Sequence, residues 1–326
     1  MSELKYPLFD GERIWAGTTV SAENGVITAV RECAPAECGA GLLMPALIDA
    51  HVHMKESAQI PALLRSGIAA VCDVSASSGA LAAASPYLTI IRSTKMAMGM
   101  VLDPRGYVEN AAANGAQYIK VLLLNTLSIG KPALRGIVRA AHERGLKVAV
   151  HATEVATVRQ AVGAGADILL HVPMREAFPK GLAAEIAEKG IAVAPTLVMM
   201  EAFAQSGRNG CKASDYQNAE NAVRLLHDCG VPILAGTDAN VGSFAPAVGY
   251  GVTLHRELEL LVSAGLTPVE ALCAATSASA AAFGLKVGRI AVGQPATMLL
   301  VDGRPDHAIA DSRRIRGLWV KGEALI

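Results

Sequence analysis

LLMPALIDAHVHM, residues 42 to 54, is an apolar run that closes on three polar residues at alternate positions, Asp49, His51 and His53. Residues two apart on a strand project to the same side, so the run reads as a buried strand whose two imidazoles point inward with Asp49. Seven further apolar runs rich in β-branched residues follow, at 68–74, 87–98, 117–124, 147–152, 167–172, 191–197 and 232–238. Between them lie Ala/Leu/Glu/Arg segments of helical period, such as PALRGIVRAAHERG (132 to 145) and TEVATVRQAVGAG (153 to 165), each ending in glycine as a helix C-terminus does. Strands alternating with crossover helices predict an α/β fold with a parallel sheet. Eight alternations match a (β/α)8 TIM-type barrel over residues 42–285 better than an open doubly wound sheet.

The two ends read differently. Residues 1–41 hold the turn pairs Asp10-Gly11 and Asn24-Gly25 between short strand-like runs, and residues 286–326 hold turns at Gly293, Gly303 and Gly322. The two β-rich ends are expected to meet as a small β-sandwich beside the barrel. TPVEALCAATSASAAAFGL (267 to 285) predicts one more helix, with Thr267 as N-cap and Pro268 at its first position.

Composition narrows the function classes. The 326 residues carry zero formal net charge, which points to neither nucleic acid nor an anionic membrane. Hydrophobic residues make up 52% but aromatics only 4%, a core of Ala, Val, Leu and Ile of the kind layered α/β folds use. The N-terminus lacks a basic region followed by an apolar one, and no apolar run approaches the ~18 residues needed to span a bilayer. Six cysteines at 33, 38, 72, 211, 229 and 273 form no CxxC pair, so neither a disulfide framework nor a thiolate metal site is indicated. A soluble cytoplasmic protein acting on a small molecule is the expectation, with a homo-oligomer left open.

The chemistry-bearing residues collect at one end of the predicted strands. His51, His53, His151, His171 and Asp238 all fall at strand C-termini, the face where barrel active sites form. An HxH alone is a weak signal, because satisfied core histidines are common; joined by ligand-type residues on other strand ends it becomes a strong one. Lys120, inside the apolar run GAQYIKVLLL, has no acidic neighbour in sequence. It reads either as a snorkelling side chain or substrate-carboxylate partner, or as something rarer.

These segments resemble the amidohydrolase superfamily. LLMPALIDAHVHM looks like its first-strand signature leading into Asp-x-His-x-His, and KVAVHA, DILLHV and LAGTDA resemble its fifth, sixth and eighth strands. VGRIAVGQPATMLLVDGRP is similar to its composite β-sandwich. GAQYIKVLL, GAGADILLHV and LHRELELLVSAGLTPVEALCAAT resemble the branch of prolidase-like carboxypeptidases, Xaa-Pro dipeptidases and imidazolonepropionase-related enzymes. Ala46 departs from the glycine usual after the signature proline, which affects a turn and not a ligand.

What the resemblance implies is a binuclear centre. His51, His53 and Asp238 would hold the more buried ion and His151 and His171 the more exposed one. Lys120 would bridge both after carboxylation by carbon dioxide. Burial favours a neutral amine able to add carbon dioxide, and the carbamate is anionic and bidentate. Nitrogen and oxygen donors suit two zinc ions first among divalent metals. Such ions would acidify a shared water to a pKa of roughly 7, with Asp238 as general base and acid for cleavage of an amide, peptide or ester-type bond.

Alternatives remain at this stage. HATE (151 to 154) also resembles the His-x-x-Glu of mononuclear zinc deaminases, with Glu154 as proton shuttle; Glu154 reads equally as a first-turn acid favoured by the helix dipole. A lactonase or phosphotriesterase-type hydrolase would use the same ligands, and a non-catalytic scaffold would lack some of them. After Asp238, Tyr250, His255 and Arg256 are candidate substrate contacts, although HRELEL reads just as well as a helix that packs and pairs them structurally.

Overall fold

The computed structural model describes residues 3–75, 85–124, 129–242 and 245–326. The chain opens with β1 (Leu4–Phe9), β2 (Ile14–Glu23) and β3 (Val26–Glu32), and the β2–β3 hairpin turns on Asn24 and Gly25, both at positive φ. The run at 42–53 is two strands, not the continuous one expected. β4 (Leu42–Pro45) joins the terminal sheet, and after Ala46 the chain continues as β5 (Leu47–Val52) in the barrel. Apolar periodicity does not mark this hand-over, because both halves are buried.

β6 (Ile68–Asp73), β7 (Thr89–Arg92), β8 (Tyr118–Leu122), β9 (Lys147–His151), β10 (Ile168–Leu170) and β11 (Ala192–Ala194) follow as parallel neighbours. Bridges from Ser93 to Tyr118 and from Ala97 to Val121 join the β5–β6–β7 group to β8. The eighth segment closes the ring by single bridges rather than a full ladder: Ile233 pairs with Val193 on one side and Ala239 with Val52 on the other. Pro232 has no amide to donate, and the backbone of 235–239 accepts from or donates to β5 at Ala50, His51 and His53.

β12 (Met298–Val301), β13 (Ile315–Val320) and β14 (Glu323–Ala324) complete a seven-stranded sheet in the order β14-β13-β12-β4-β1-β2-β3. It folds over so that Val26, at the start of β3, pairs with Pro295 just before β12. Leu8, Val20, Ile27, Leu43, Met298 and Leu300 fill its interior, while the alternate residues Leu42, Met44, Leu299 and Val301 face the barrel's helices. Both ends therefore meet beside the barrel, as expected of a small sandwich, and do so in one folded-over sheet.

The barrel has two apolar layers. Ile119, Val121, Val148 and Val150 face the surrounding helices, and Ala50, Cys72, Tyr118, Ala149, Ala194 and Leu234 face the interior. The single helix expected over 267–285 is instead two, Pro268–Ala274 and Ser277–Phe283. The break frees two carbonyls: Ala275 O accepts from Ile48 N at 2.8 Å, and Ala274 O accepts from Ala235 N at 3.0 Å. It also turns the second helix so that Phe283 meets the Tyr118 ring edge-on at 5.3 Å, closing the interior at that end. Thr267 does cap the first helix, accepting from Glu270 N, with Pro268 at its start. Among the described residues no helix is long and apolar enough to cross a membrane.

Candidate metal centre

β5 is bulged between Asp49 and Val52, where Ala50 and His51 stand opposite the single residue Cys72 of β6; bulges of this kind re-aim side chains near sites. His53 Nε2 lies 2.9 Å and His51 Nε2 3.2 Å from the same oxygen of Asp238. One potential ligand atom from each of His51, His53 and Asp238 lies within 4.8 Å of the others. The remaining two histidines join them through ring contacts, His171 with its centroid 4.9 Å from His51 and 4.4 Å from His151. Close approach of the eighth segment depends on Gly236, where a Cβ would stand 2.9 Å from that of His51.

Asp49 clamps this arrangement and is not free to ligate. Its carboxylate accepts from the backbone amides of His51 and Thr237 and from the Thr237 hydroxyl at 2.7 Å, tying β5 to the eighth segment. Backbone strain gathers here as well. His171, Thr196 and Asp238 have φ of 72°, 52° and 56°, the left-handed region that non-glycine residues avoid and that functional sites tolerate.

Lys120 projects inward from β8 between Tyr118 and Leu122, paired in register with Ala149, whose small side chain leaves room beside it. Leu122 is paired with His151, which places Lys120 one inward layer deeper. The side chain is 2% exposed. Burial draws its ammonium down to about 7, with Asp238 the charge opposing that shift. Burial also lowers His51 to about 4, His151 to about 3 and His171 well below the usual imidazole range. Neutral imidazoles are what a metal requires. Burial resists ionisation of Asp238, yet the imidazoles around it, His51 foremost, hold its carboxyl well below the ordinary range.

The donor set fits a divalent cation. Both ring nitrogens of His51 are buried without a hydrogen-bond partner, because the 3.2 Å approach to Asp238 lacks the alignment of one. Such orphaned nitrogens are costly in a finished core, and an ion between Nε2 and the Asp238 carboxylate would satisfy the one that faces the cluster.

The other expected site residues divide. Tyr250 lies close to the cluster, but its hydroxyl donates to the His53 carbonyl at 2.5 Å, which orients the strand end. His255 is corrected: it is buried in the helix Val252–Ser263 with Nδ1 3.0 Å from Ser312 Oγ, on the side facing the C-terminal segment. Arg256 is corrected too, because its guanidinium pairs with Glu201 at 2.8 Å and Glu259 at 3.3 Å on the outer surface. Glu154 stands at the N-cap of the helix Val155–Ala164, with Oε2 buried and unpartnered. Sequence reasoning missed Thr196, whose Oγ1 is 2.7 Å from His171 Nδ1, and Glu257, whose carboxylate accepts from Leu197 N and Val198 N. Only the period of the 252–263 helix, which turns position 257 inward, could have signalled the second.

The model of the amidohydrolase family matches residues 42–325. The chain belongs to the amidohydrolase family. A curated relative, 5-methylthioadenosine/S-adenosylhomocysteine deaminase of Halobacterium salinarum, is 30% identical over 205 residues, covering 61% of this chain. The match spans about half of that relative, 47% of its length. Among solved structures, a Xaa-Pro dipeptidase with bound methionine has a TM-score of 0.83 at 18% identity and covers 99% of this chain and 98% of its own. A putative prolidase from Bifidobacterium longum has a TM-score of 0.80 at 23% identity, covering 99% and 94%. At these identities the likeness speaks for the fold, a TIM-type barrel with a terminal sheet.

Proposed function

We propose that this amidohydrolase cleaves a C–N bond of a small molecule, a peptide or cyclic amide foremost, using two divalent ions. The observation that carries this reading is the inward-facing Lys120, buried beneath four histidines and an aspartate. In an ordinary core such a lysine would be expensive. As a carbamate it becomes the bidentate anion that a pair of cations needs.

In this reading His51, His53 and Asp238 would hold one ion and His151 and His171 the other, with carboxylated Lys120 serving both. Zinc suits these donors. The ions, when bound, supply Lewis acidity toward a carbonyl and an acidified water. Asp238 would take the proton from the attacking water and return it to the leaving nitrogen. Tyr250 keeps the His53 end of β5 in place through the His53 carbonyl. The prolidase and Xaa-Pro dipeptidase named above have the same fold, which supports an amide or dipeptide substrate.

A second reading, a mononuclear deaminase of a heterocyclic amine, has its own support. The curated relative is named a deaminase, and Glu154, three residues past His151, keeps one buried oxygen without a partner. One comparison separates the two. Metal analysis of the purified protein is expected to give two divalent ions per chain, falling to one in Lys120→Ala with most turnover lost. Dipeptides, N-acyl amino acids, lactones and phosphotriesters are then screened beside an ammonia-release assay on purines and pyrimidines. Ammonia release alone, with one ion per chain in wild type and in Lys120→Ala alike, overturns the hydrolase in favour of the deaminase.

A further inference from the structure

Thr196 and Glu257 form a chain of contacts that ends on a metal ligand. His171 carries one ring proton when neutral, and it offers Nε2 to a cation only if that proton sits on Nδ1. Nδ1 lies 2.7 Å from Thr196 Oγ1, a hydroxyl able to accept that proton and so to favour this tautomer. Thr196 itself is fully buried with φ 52° and ψ 50°. A β-branched residue in that conformation costs about 1–3 kcal/mol, so its surroundings must impose it.

The surroundings are visible. Thr196 is the N-cap of the helix Leu197–Ser206, and its carbonyl accepts from the amides of Met199 and Met200. A threonine at an N-cap ordinarily turns its own oxygen onto the free amides of the first turn. Here it makes no such bond. Glu257, reaching across from the helix Val252–Ser263, receives Leu197 N at 3.0 Å on one oxygen and Val198 N at 2.7 Å on the other. A carboxylate is favoured at a helix N-terminus, and this one is completely buried with both oxygens engaged. With these donors taken, the Thr196 hydroxyl is released toward the imidazole.

We propose that Glu257 is a positioning residue of the metal centre: by capping the Leu197–Ser206 helix in place of Thr196, it frees Thr196 to hold His171 with Nε2 toward the ion. The proposal rests on the reading of His171 as a ligand. It predicts that the preference is built into the metal-free protein, before any ion binds.

The test is nitrogen-15 NMR of the histidine rings in the metal-free full chain, with the His171 signal assigned by its loss in His171→Gln, followed by titration with cobalt(II). Wild type is expected to show the Nδ1–H tautomer at His171. Thr196→Val is expected to lose that preference and to weaken uptake of one of the two ions roughly 10–100-fold. Thr196→Ser, which keeps the oxygen, is expected to restore both. Glu257→Ala should shift the tautomer in the same direction as Thr196→Val, and the double variant should add little further change. A wild-type tautomer and wild-type uptake in a folded Thr196→Val overturns the proposal, as does a Thr196→Ser no better than Thr196→Val. If wild type takes up no cobalt, or His171→Gln leaves uptake unchanged, the ligand reading fails first and takes the proposal with it.

Discussion

Tyr118 and Lys120 are two residues apart on β8 and face the same interior, yet their surroundings are opposite. Tyr118 is sealed: its ring meets Phe283 and its hydroxyl donates to the Asp73 carbonyl at 2.9 Å. Lys120 lies one layer nearer the strand C-termini, beneath imidazoles and Asp238. The lower end of the barrel is thus a completed core with its polar atom satisfied, while the upper end keeps orphaned nitrogens and left-handed backbones. One strand serves both because stability is drawn from the first and chemistry from the second.

Changes at the two ends are expected to part company. Asp238→Asn, at the upper end, should lower turnover by about 10³-fold with circular dichroism and thermal stability little altered; substantial residual hydrolysis would remove Asp238 from its role. Phe283→Ala, at the lower end, should do the reverse. It removes a half-buried ring packed on Tyr118 and costs about 1–3 kcal/mol in urea unfolding, while metal content stays at the wild-type value. Loss of metal in that variant would show that the ends are coupled and the contrast false.

A smaller effect concerns His255, buried beside the C-terminal segment and lowered by burial from 6.5 to about 4. The unfolded chain protonates this ring first as pH falls, so its contribution is complete above about 6.5 and is lost toward 4. Urea melts at pH 7 and 4.5 should show wild type losing up to roughly 3 kcal/mol more than His255→Leu over that window. An equal loss in both would mean the ring is not responsible. Smallest of all, Arg256→Ala removes a half-exposed pairing with Glu201 and Glu259 and should change stability by less than about 1 kcal/mol. Its KM should stay unchanged, and a large rise would return Arg256 to the substrate.

Much of this contrast was legible in the sequence because the ligand-type residues sit at strand ends whose apolar period is local. Each of His51, His53, His151, His171 and Asp238 could be placed from its own short segment. For His255 and Arg256 the sequence left substrate contact and structural packing open, because helix rotation decides exposure: one turns in toward Ser312 and the other out toward Glu201. Thr196 and Glu257 were unreadable for a different reason. Their contacts cross 25 residues to His171 and about 60 to the Leu197–Ser206 helix, and a left-handed φ at threonine has no sequence signature. The split of residues 42–53 escaped because an apolar run does not say which sheet it enters.

That split has a consequence for how the chain is made. β4 pairs through all four of its residues with β12, which is synthesised only after the whole barrel. Until then the strand that leads directly into β5 has an open apolar edge while the ribosome is still at work. Such an edge invites pairing with other nascent chains. A stop or frameshift before Met298 would therefore leave the candidate ligand set intact on a molecule prone to aggregate, and its loss would be registered in yield before it was registered in catalysis.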